Sequence, residues 1–265
     1  MSLTFTILGC GSSAGVPRVG VGWGACDPTN PKNRRRRCSL LVEKVSAGGV
    51  TTVLVDTTPD LRDQLLGADV KRLDAVLYTH EHADHIHGID DLRPLAIAMH
   101  RRIPVYADRV TGELLQVRFG YCFETPAGSS YPPILELHYM KPGIPTRVEG
   151  PGGTVEAIPF CMEHGDIEPL GFRFGALAYA PDVSRMPDES LPYLEGLEVL
   201  IVDALRYTPH PTHFSVAEAL ALIERVRPKR AVLTNLHTDL DYETLRRQLP
   251  SHIEPAYDGM QIEIP

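Results

Sequence analysis

The chain has 265 residues, of which 43% are hydrophobic and 23% charged, with a formal net charge of −8. That length allows a sizeable buried core in one or two domains, and the composition is that of a globular protein. The acidic balance argues against broad electrostatic binding of nucleic acid, and no apolar run approaches the roughly 20 residues of a membrane span.

Five cysteines (Cys10, Cys26, Cys38, Cys122 and Cys161) are odd in number and scattered, which argues against a disulfide framework and for a reducing cytoplasm as the expected location. The opening residues Met1 to Leu8 carry no basic leader or cleavage pattern and read as a first strand. Gly9-Cys10-Gly11-Ser12-Ser13-Ala14 loosely fits a dinucleotide fingerprint, but Gly15, Pro17, Gly20, Gly22 and Gly24 forbid the helix that motif requires. Two readings stay open for this loop: a tight turn, or a backbone cradle for phosphate. Arg34-Arg35-Arg36-Arg37 follows, either a solvated loop or a clamp for an anionic substrate.

Residues 39–43 and 51–55 read as a hairpin turning near Gly48-Gly49, with Asp56 at its end. Pro59 to Leu66 has helical spacing, with Thr57 or Thr58 as cap and Gly67 as stop. Ala75-Val76-Leu77-Tyr78 is a buried strand, Asp91 to His100 a short helix, Ile103 to Tyr106 a strand, and Arg109 to Phe119 a helix. Prolines and glycines between Thr125 and Pro151 mark loop and hairpin at the midpoint of the chain. Strands are expected again at 155–160, 199–203, 231–234 and 261–264. Ser215 and Glu218 form a capping box for a helix over 216–226. The order suggests an α/β fold in which two sheets pack face to face with helices outside, as one domain over residues 1–265.

The chemistry sits where the strand at 75–78 gives way to Thr79-His80-Glu81-His82-Ala83-Asp84-His85. Residues two apart on an extended segment point the same way, so His80 and His82 can converge on one ion. Asp84 and His85 come after a turn and can face a second ion. Imidazole and carboxylate together suit Zn, Mn or Fe.

His80-x-His82-x-Asp84-His85 matches the HxHxDH signature of the metallo-β-lactamase-fold hydrolases. The chain resembles that superfamily through most of its length, and among its branches it resembles most the PhnP-type phosphodiesterases, which cleave phosphoribosyl cyclic phosphates. The resemblance implies a four-layer αββα sandwich of two mixed sheets. It implies two divalent metal ions, Zn or Mn, with His80, His82 and His164 on one, Asp84, His85 and His237 on the other, and Asp182, at the end of a strand that starts at Leu177, bridging them. Family members place their last histidine directly after the Thr that here precedes Asn235. His237 is the only histidine near that point, and Asn235 is the alternative as a carbonyl ligand or a hydrogen-bond donor to substrate. Asp56 matches a residue that buttresses the metal loop, and Asp258 one with a structural role. His213, or failing it His210, matches a non-ligand histidine suited to act as general acid, with Asp203 orienting its loop. His87, His100, His138 and His252 lack partners and read as surface or packing residues.

The function so implied is a dinuclear metal-dependent phosphodiesterase hydrolysing a small cyclic or nucleotide-like phosphodiester with a metal-bridging hydroxide. Asp84 and His213 serve the catalysis. Membranes and extended nucleic acid are not expected as partners, and a homodimer is left open. The alternatives are another hydrolase of the fold, acting on RNA ends, a thioester or a lactam, and a metal-bearing binding protein that has lost catalysis.

Overall fold

In the computed structural model, which describes residues 2–264, the chain forms two seven-stranded sheets. The first half supplies β1 (Leu3–Gly9), β2 (Ser39–Ser46), β3 (Gly49–Val55), α1 (Leu61–Gly67), β4 (Ala75–Leu77), α2 (Ala83–Ile86), α3 (Arg93–Met99), β5 (Ile103–Ala107), α4 (Arg109–Phe123) and β6 (Leu135–Tyr139). The second half supplies β7 (Thr146–Val148), β8 (Val155–Cys161), β9 (Leu170–Phe174), β10 (Leu177–Ala180), β11 (Val199–Asp203), α5 (Val216–Val226), β12 (Arg230–Thr234), α6 (Tyr242–Gln248), β13 (Ile253–Pro255) and β14 (Gln261–Ile264). The first sheet runs β14-β1-β2-β3-β4-β5-β6 and the second β13-β12-β11-β10-β9-β8-β7. Each mixes antiparallel and parallel pairs: β3, β4, β5 and β6 are mutually parallel, as are β10, β11, β12 and β13.

The period-2 alternation of side chains decides which layer each apolar residue enters. Leu40, Val42, Val53 and Val55 meet Phe172, Tyr179, Ile201 and Val232 in the core between the sheets. Their alternates Leu41 and Leu54 face outward under α1, α3 and α4 with Leu61, Leu92 and Leu115. On the second sheet Val199 and Ile201 point inward, while Leu200 and Val202 pack outward with Ala219, Ile223 and Leu245 of α5 and α6. Four layers result, helix-sheet-sheet-helix, as the resemblance implied.

Several boundaries differ from expectation. Helix α1 starts at Leu61 with Asp60 as its N-cap residue; Thr58 acts one step earlier, its hydroxyl accepting from Asp60 N at 3.0 Å. The helix expected over 91–100 is a 3₁₀ turn, Ile89–Leu92, running into α3, because Pro94 sits at the second helical position and lacks an N–H. Helix α4 runs on to Phe123 through a kink at Phe119. Strands β6, β7, β9 and β13 and helices α2 and α6 have no counterpart among the elements expected from the sequence, the first two strands lying inside the stretch read as loop and hairpin. Among the described residues no helix is long and apolar enough to cross a membrane.

The basic run is neither a solvated loop nor a clamp for substrate. Arg35 is 2% exposed and donates to Leu240 O (2.7 Å), Asn33 Oδ1 (3.2 Å) and His237 O (3.3 Å). Arg36 pairs with Asp258 (3.0 Å) and Arg37 with Asp60 (2.7 Å). Arg35 and Arg36 thus fasten the first loop to the far end of the chain, Arg37 ties it to the start of α1, and Arg34 alone is exposed. Asp258 has the structural role expected of it, accepting from the backbone of both Cys10 and Arg36.

Candidate metal centre

Strand β4 lies between β3 and β5 with every residue buried, so the chain leaves the sheet at Thr79 in a fixed direction. Leu170 N of the second sheet donates to Thr79 O at 2.9 Å, so the metal loop is held from both halves. Behind it lies Asp56, fully buried at the end of β3 with φ 63°. Its carboxylate accepts from Thr79 N (2.8 Å), Thr79 Oγ1 (2.8 Å) and His85 Nδ1 (2.7 Å), which is the buttress the resemblance implied.

These bonds set the histidine tautomers. Thr79 gives its hydroxyl proton to Asp56, so it accepts from His80 Nδ1 at 2.9 Å, and His80 Nε2 is left with a lone pair. His85 Nδ1–H is used by Asp56, which turns another lone pair on Nε2 toward Asp182 Oδ2 (3.1 Å) and Asp84 Oδ2 (3.5 Å). His164 donates Nδ1–H to Thr212 O, and its Nε2 faces His82 Nδ1 at 3.3 Å. Electron pairs from three imidazoles and two carboxylates therefore converge. His80 Nε2 is buried with no hydrogen-bond partner at all. An arrangement of acceptors without donors is stable only around positive charge.

Three ligand groups fit such charge, the ligand atoms of each lying within 4.8 Å of one another: His80, His82 and His164; His80, His85 and Asp182; and His164, Asp182 and His213. The electrostatics agree. Burial and the neighbouring His85 hold His80 well below the ordinary imidazole range, as a neutral ligand requires. Burial opposes an imidazolium at His85, yet Asp182, Asp84 and Asp56 outweigh it and raise its pKa well above the ordinary value. Burial likewise opposes ionisation of Asp182, but His85, His80 and His213 hold its carboxyl well below the usual range. A divalent ion would supply the positive charge that these carboxylates and lone pairs require.

His237 is not brought to this cluster. Its ring lies between Asp239 Oδ1 (2.8 Å from Nδ1) and the Arg18 guanidinium on Nε2, so the expectation that it completes the second ion is corrected. The reason lies in the backbone. Asn235 ends β12 with φ 61° and carries its amide inward, where Nδ2 donates to Asp182 Oδ1 (3.1 Å) and Pro181 O (3.2 Å) and approaches His213 Nδ1 (3.1 Å). The chain then turns away, with His237 N bonded to Leu205 O at 2.9 Å.

His213 does reach the cluster. Its ring centroid is 4.4 Å from that of His164, and its Nδ1 is 2.8 Å from Asp203 Oδ2. Burial raises the Asp203 carboxyl to about 7, while Asp203 and Asp182 raise His213 against its own burial, so the pair shares a proton near neutrality. His210 packs against His213 at 5.3 Å, one step further out. A cavity of about 710 Å³ opens beside the loop, lined by Glu81 between the first two histidines, by Ile167, and by Tyr139, Lys141 and Arg109.

Residues 51–235 match the model of the β-lactamase superfamily domain. A curated protein of Porphyromonas gingivalis named octanoyltransferase is 36% identical over 96% of this chain, which spans 50% of that protein's length. The coenzyme PQQ synthesis protein B of a Methylobacterium species is 28% identical over 76% of this chain and 72% of its own. Among solved structures, one described as a new diphosphatase from the PhnP family shares 38% identity, with a TM-score of 0.89 over 100% of this chain and 98% of the other. The chain belongs to the β-lactamase superfamily, with the metallo-β-lactamase fold and full-length similarity to a PhnP-family diphosphatase.

Proposed function

We propose that the protein is a metal-dependent hydrolase of phosphoric diesters or diphosphates of small, nucleotide-like compounds. The observation that carries this reading is the inward convergence of lone pairs from His80, His85 and His164 around Asp182, supported by the likeness to a PhnP-family diphosphatase. His80, His82, His164 and Asp182 would hold one ion, and Asp84, His85 and Asp182 a second, with the Asn235 amide beside it. Divalent cations bound there supply a Lewis acid that activates water and offsets phosphoryl charge.

The remaining steps fall to the protein's own side chains. Asp84, half-exposed at the first turn of α2, accepts a hydrogen from the attacking water and fixes its direction. His213, with Nδ1 anchored on Asp203, keeps Nε2 free to protonate the leaving oxygen. Asp203 holds the ring orientation and the shared proton. The cavity beginning at Glu81 has apolar walls at Tyr139 and Ile167, cations at Arg109 and Lys141 and carboxylates at Asp108, Asp166 and Glu168, which suits an uncharged organic part of the substrate.

The test is metal analysis together with turnover of bis-p-nitrophenyl phosphate and of a dinucleoside diphosphate. About two ions per chain with turnover is the expected result. His213→Ala is expected to lower kcat by about 10²–10⁴-fold with metal content retained; loss of metal in that variant would refute the acid role. A second reading, a metal-bearing binding protein, draws on Asn235 standing where a histidine ligand was expected. One tightly held ion and no hydrolysis of either compound would establish it instead.

A further inference from the structure

The two sides of the metal centre differ in their donor atoms. On one side stand the imidazoles of His80, His82 and His164, with Asp182 beside them. On the other, His85 Nε2 faces Asp182 Oδ2 at 3.1 Å and Asp84 Oδ2 at 3.5 Å, one nitrogen between two acids.

Among the described residues no further imidazole joins that second side. The ring of His237 is taken by Asp239 and Arg18. His213 groups with His164 and Asp182 and has its Nδ1 on Asp203 at 2.8 Å. Asn235 is there instead, 3% exposed, and its Nδ2 donates to Pro181 O (3.2 Å) and Asp182 Oδ1 (3.1 Å). Two acceptors fix the nitrogen end of the amide against them, since its oxygen in that place would meet two other oxygens. An amide nitrogen has no lone pair to give a metal, and an amide oxygen is a hard donor like a carboxylate's. Asn235 therefore leaves the second side with a single nitrogen, and it ties Asp182 Oδ1 while Oδ2 faces His85.

The partners behind the ligands repeat the contrast. His80 Nδ1 rests on the Thr79 hydroxyl and His164 Nδ1 on the Thr212 carbonyl, both neutral. His85 Nδ1 rests on the Asp56 carboxylate at 2.7 Å, so three acids surround that one ring. Such outer partners tune the ion as well as orient the ligand. Imidazole suits zinc, whereas carboxylate, carbonyl and water suit manganese and magnesium.

We propose that the two positions are chemically unequal and hold a mixed-metal centre. Zinc belongs at His80, His82 and His164, and a harder ion of the manganese or magnesium class at Asp84, His85 and Asp182. Asn235 is the residue that sets the difference. This deepens the reading of the protein as a metal-dependent hydrolase and rests on it for the presence of two ions.

The full-length protein, stripped of metal, is given one equivalent of zinc and then titrated with manganese. Metal content after desalting is read together with electron paramagnetic resonance, in which a lone manganese ion and a magnetically coupled pair give different spectra. Zinc is expected to stay, with about one manganese bound per chain and the spectrum of a lone ion. With zinc alone, the second equivalent should bind about 10–100-fold more weakly than the first, measured by competition with a chromophoric chelator. Asn235→His supplies a nitrogen donor, and histidine is among the residues that accept the φ of 61°. It should narrow that gap at least about 10-fold and let zinc displace manganese. Asn235→Gly removes the amide without adding a nitrogen and should keep the gap. Equal affinity for two zinc ions, or a coupled manganese pair formed at the expense of zinc, overturns the proposal. An unchanged gap in Asn235→His, or a closed one in Asn235→Gly, overturns the part given to Asn235. The hydrolase reading is judged apart from this. Should the zinc–manganese protein hydrolyse neither bis-p-nitrophenyl phosphate nor a dinucleoside diphosphate, that reading fails while the metal counts and spectra still decide the mixed centre.

Discussion

Asp56→Asn is nearly isosteric, and its effect on metal binding follows from proton positions alone. The carboxylate accepts three hydrogens, from Thr79 N, Thr79 Oγ1 and His85 Nδ1. An amide can keep the first acceptor bond, but its NH₂ then faces Thr79 Oγ1 and His85 Nδ1. Donating to His85 Nδ1 moves the ring proton to Nε2, the atom that faces Asp182 and Asp84. Donating to Thr79 Oγ1 turns the threonine proton toward His80 Nδ1 and sends that ring's proton to its own Nε2. One substitution thus caps two ligand lone pairs. Keeping the ligand tautomers instead costs two charge-assisted hydrogen bonds, about 1.5–3 kcal/mol each before relaxation. Since removing a single such outer partner typically costs 10–100-fold, we expect metal affinity to fall about 10²–10³-fold, read by competition with a chromophoric chelator. The metal-free fold should lose less than about 2 kcal/mol in urea unfolding, because a neutral amide replaces a carboxyl whose ionisation burial disfavours. Wild-type affinity in Asp56→Asn would refute the tautomer argument.

Two further predictions concern the scaffold. Arg35→Met should lower the unfolding free energy by about 3–5 kcal/mol, since it strands buried carbonyls of Leu240 and His237, whereas Arg34→Met should stay within about 0.5 kcal/mol; equal urea midpoints for the two would contradict the fastening role. Asp241 caps α6, and although burial opposes it, hydrogen bonds from Thr244, Asp27 and Asn33 lower its carboxyl to about 2. Its folded pKa lies below the unfolded value of about 3.9, so its contribution is complete above that value and fades as the pH falls through about 2. Asp241→Asn should flatten the acid limb of a stability-versus-pH curve in that window, and an unaltered limb would count against the assignment.

How much of this was legible in the sequence depended on whether the signal was local. The run at 80–85 and the buried strand before it are contiguous, so the metal loop could be read directly. The strands at 39–43 and 199–203 could be named from their apolar runs for the same reason, whereas the layer each side chain enters follows only from the sheet pairing. Ser215 and Glu218 form the predicted capping box in full. His237 was misplaced because the decisive fact is a left-handed residue at Asn235, which turns the chain out of the site and carries no mark in composition or spacing. The run Arg34 to Arg37 reads as a solvated loop or a clamp because the groups that bury and pair it, Asp60, Leu240 and Asp258, lie outside any local window.

The strand order has a consequence for how the molecule assembles. Strand β14 pairs antiparallel with β1, Phe5 opposite Ile262, and so completes the first sheet from the far end of the chain. That contact closes one of the longest loops the polypeptide can make, which places it late in folding on topological grounds. Until it forms, β1 offers an open row of N–H and C=O groups beside Phe5 and Ile7, a template for pairing with another molecule. The residues that latch this end, Asp258 on Cys10 and Arg36, therefore act as guards against self-association during synthesis as well as supports of the finished sheet.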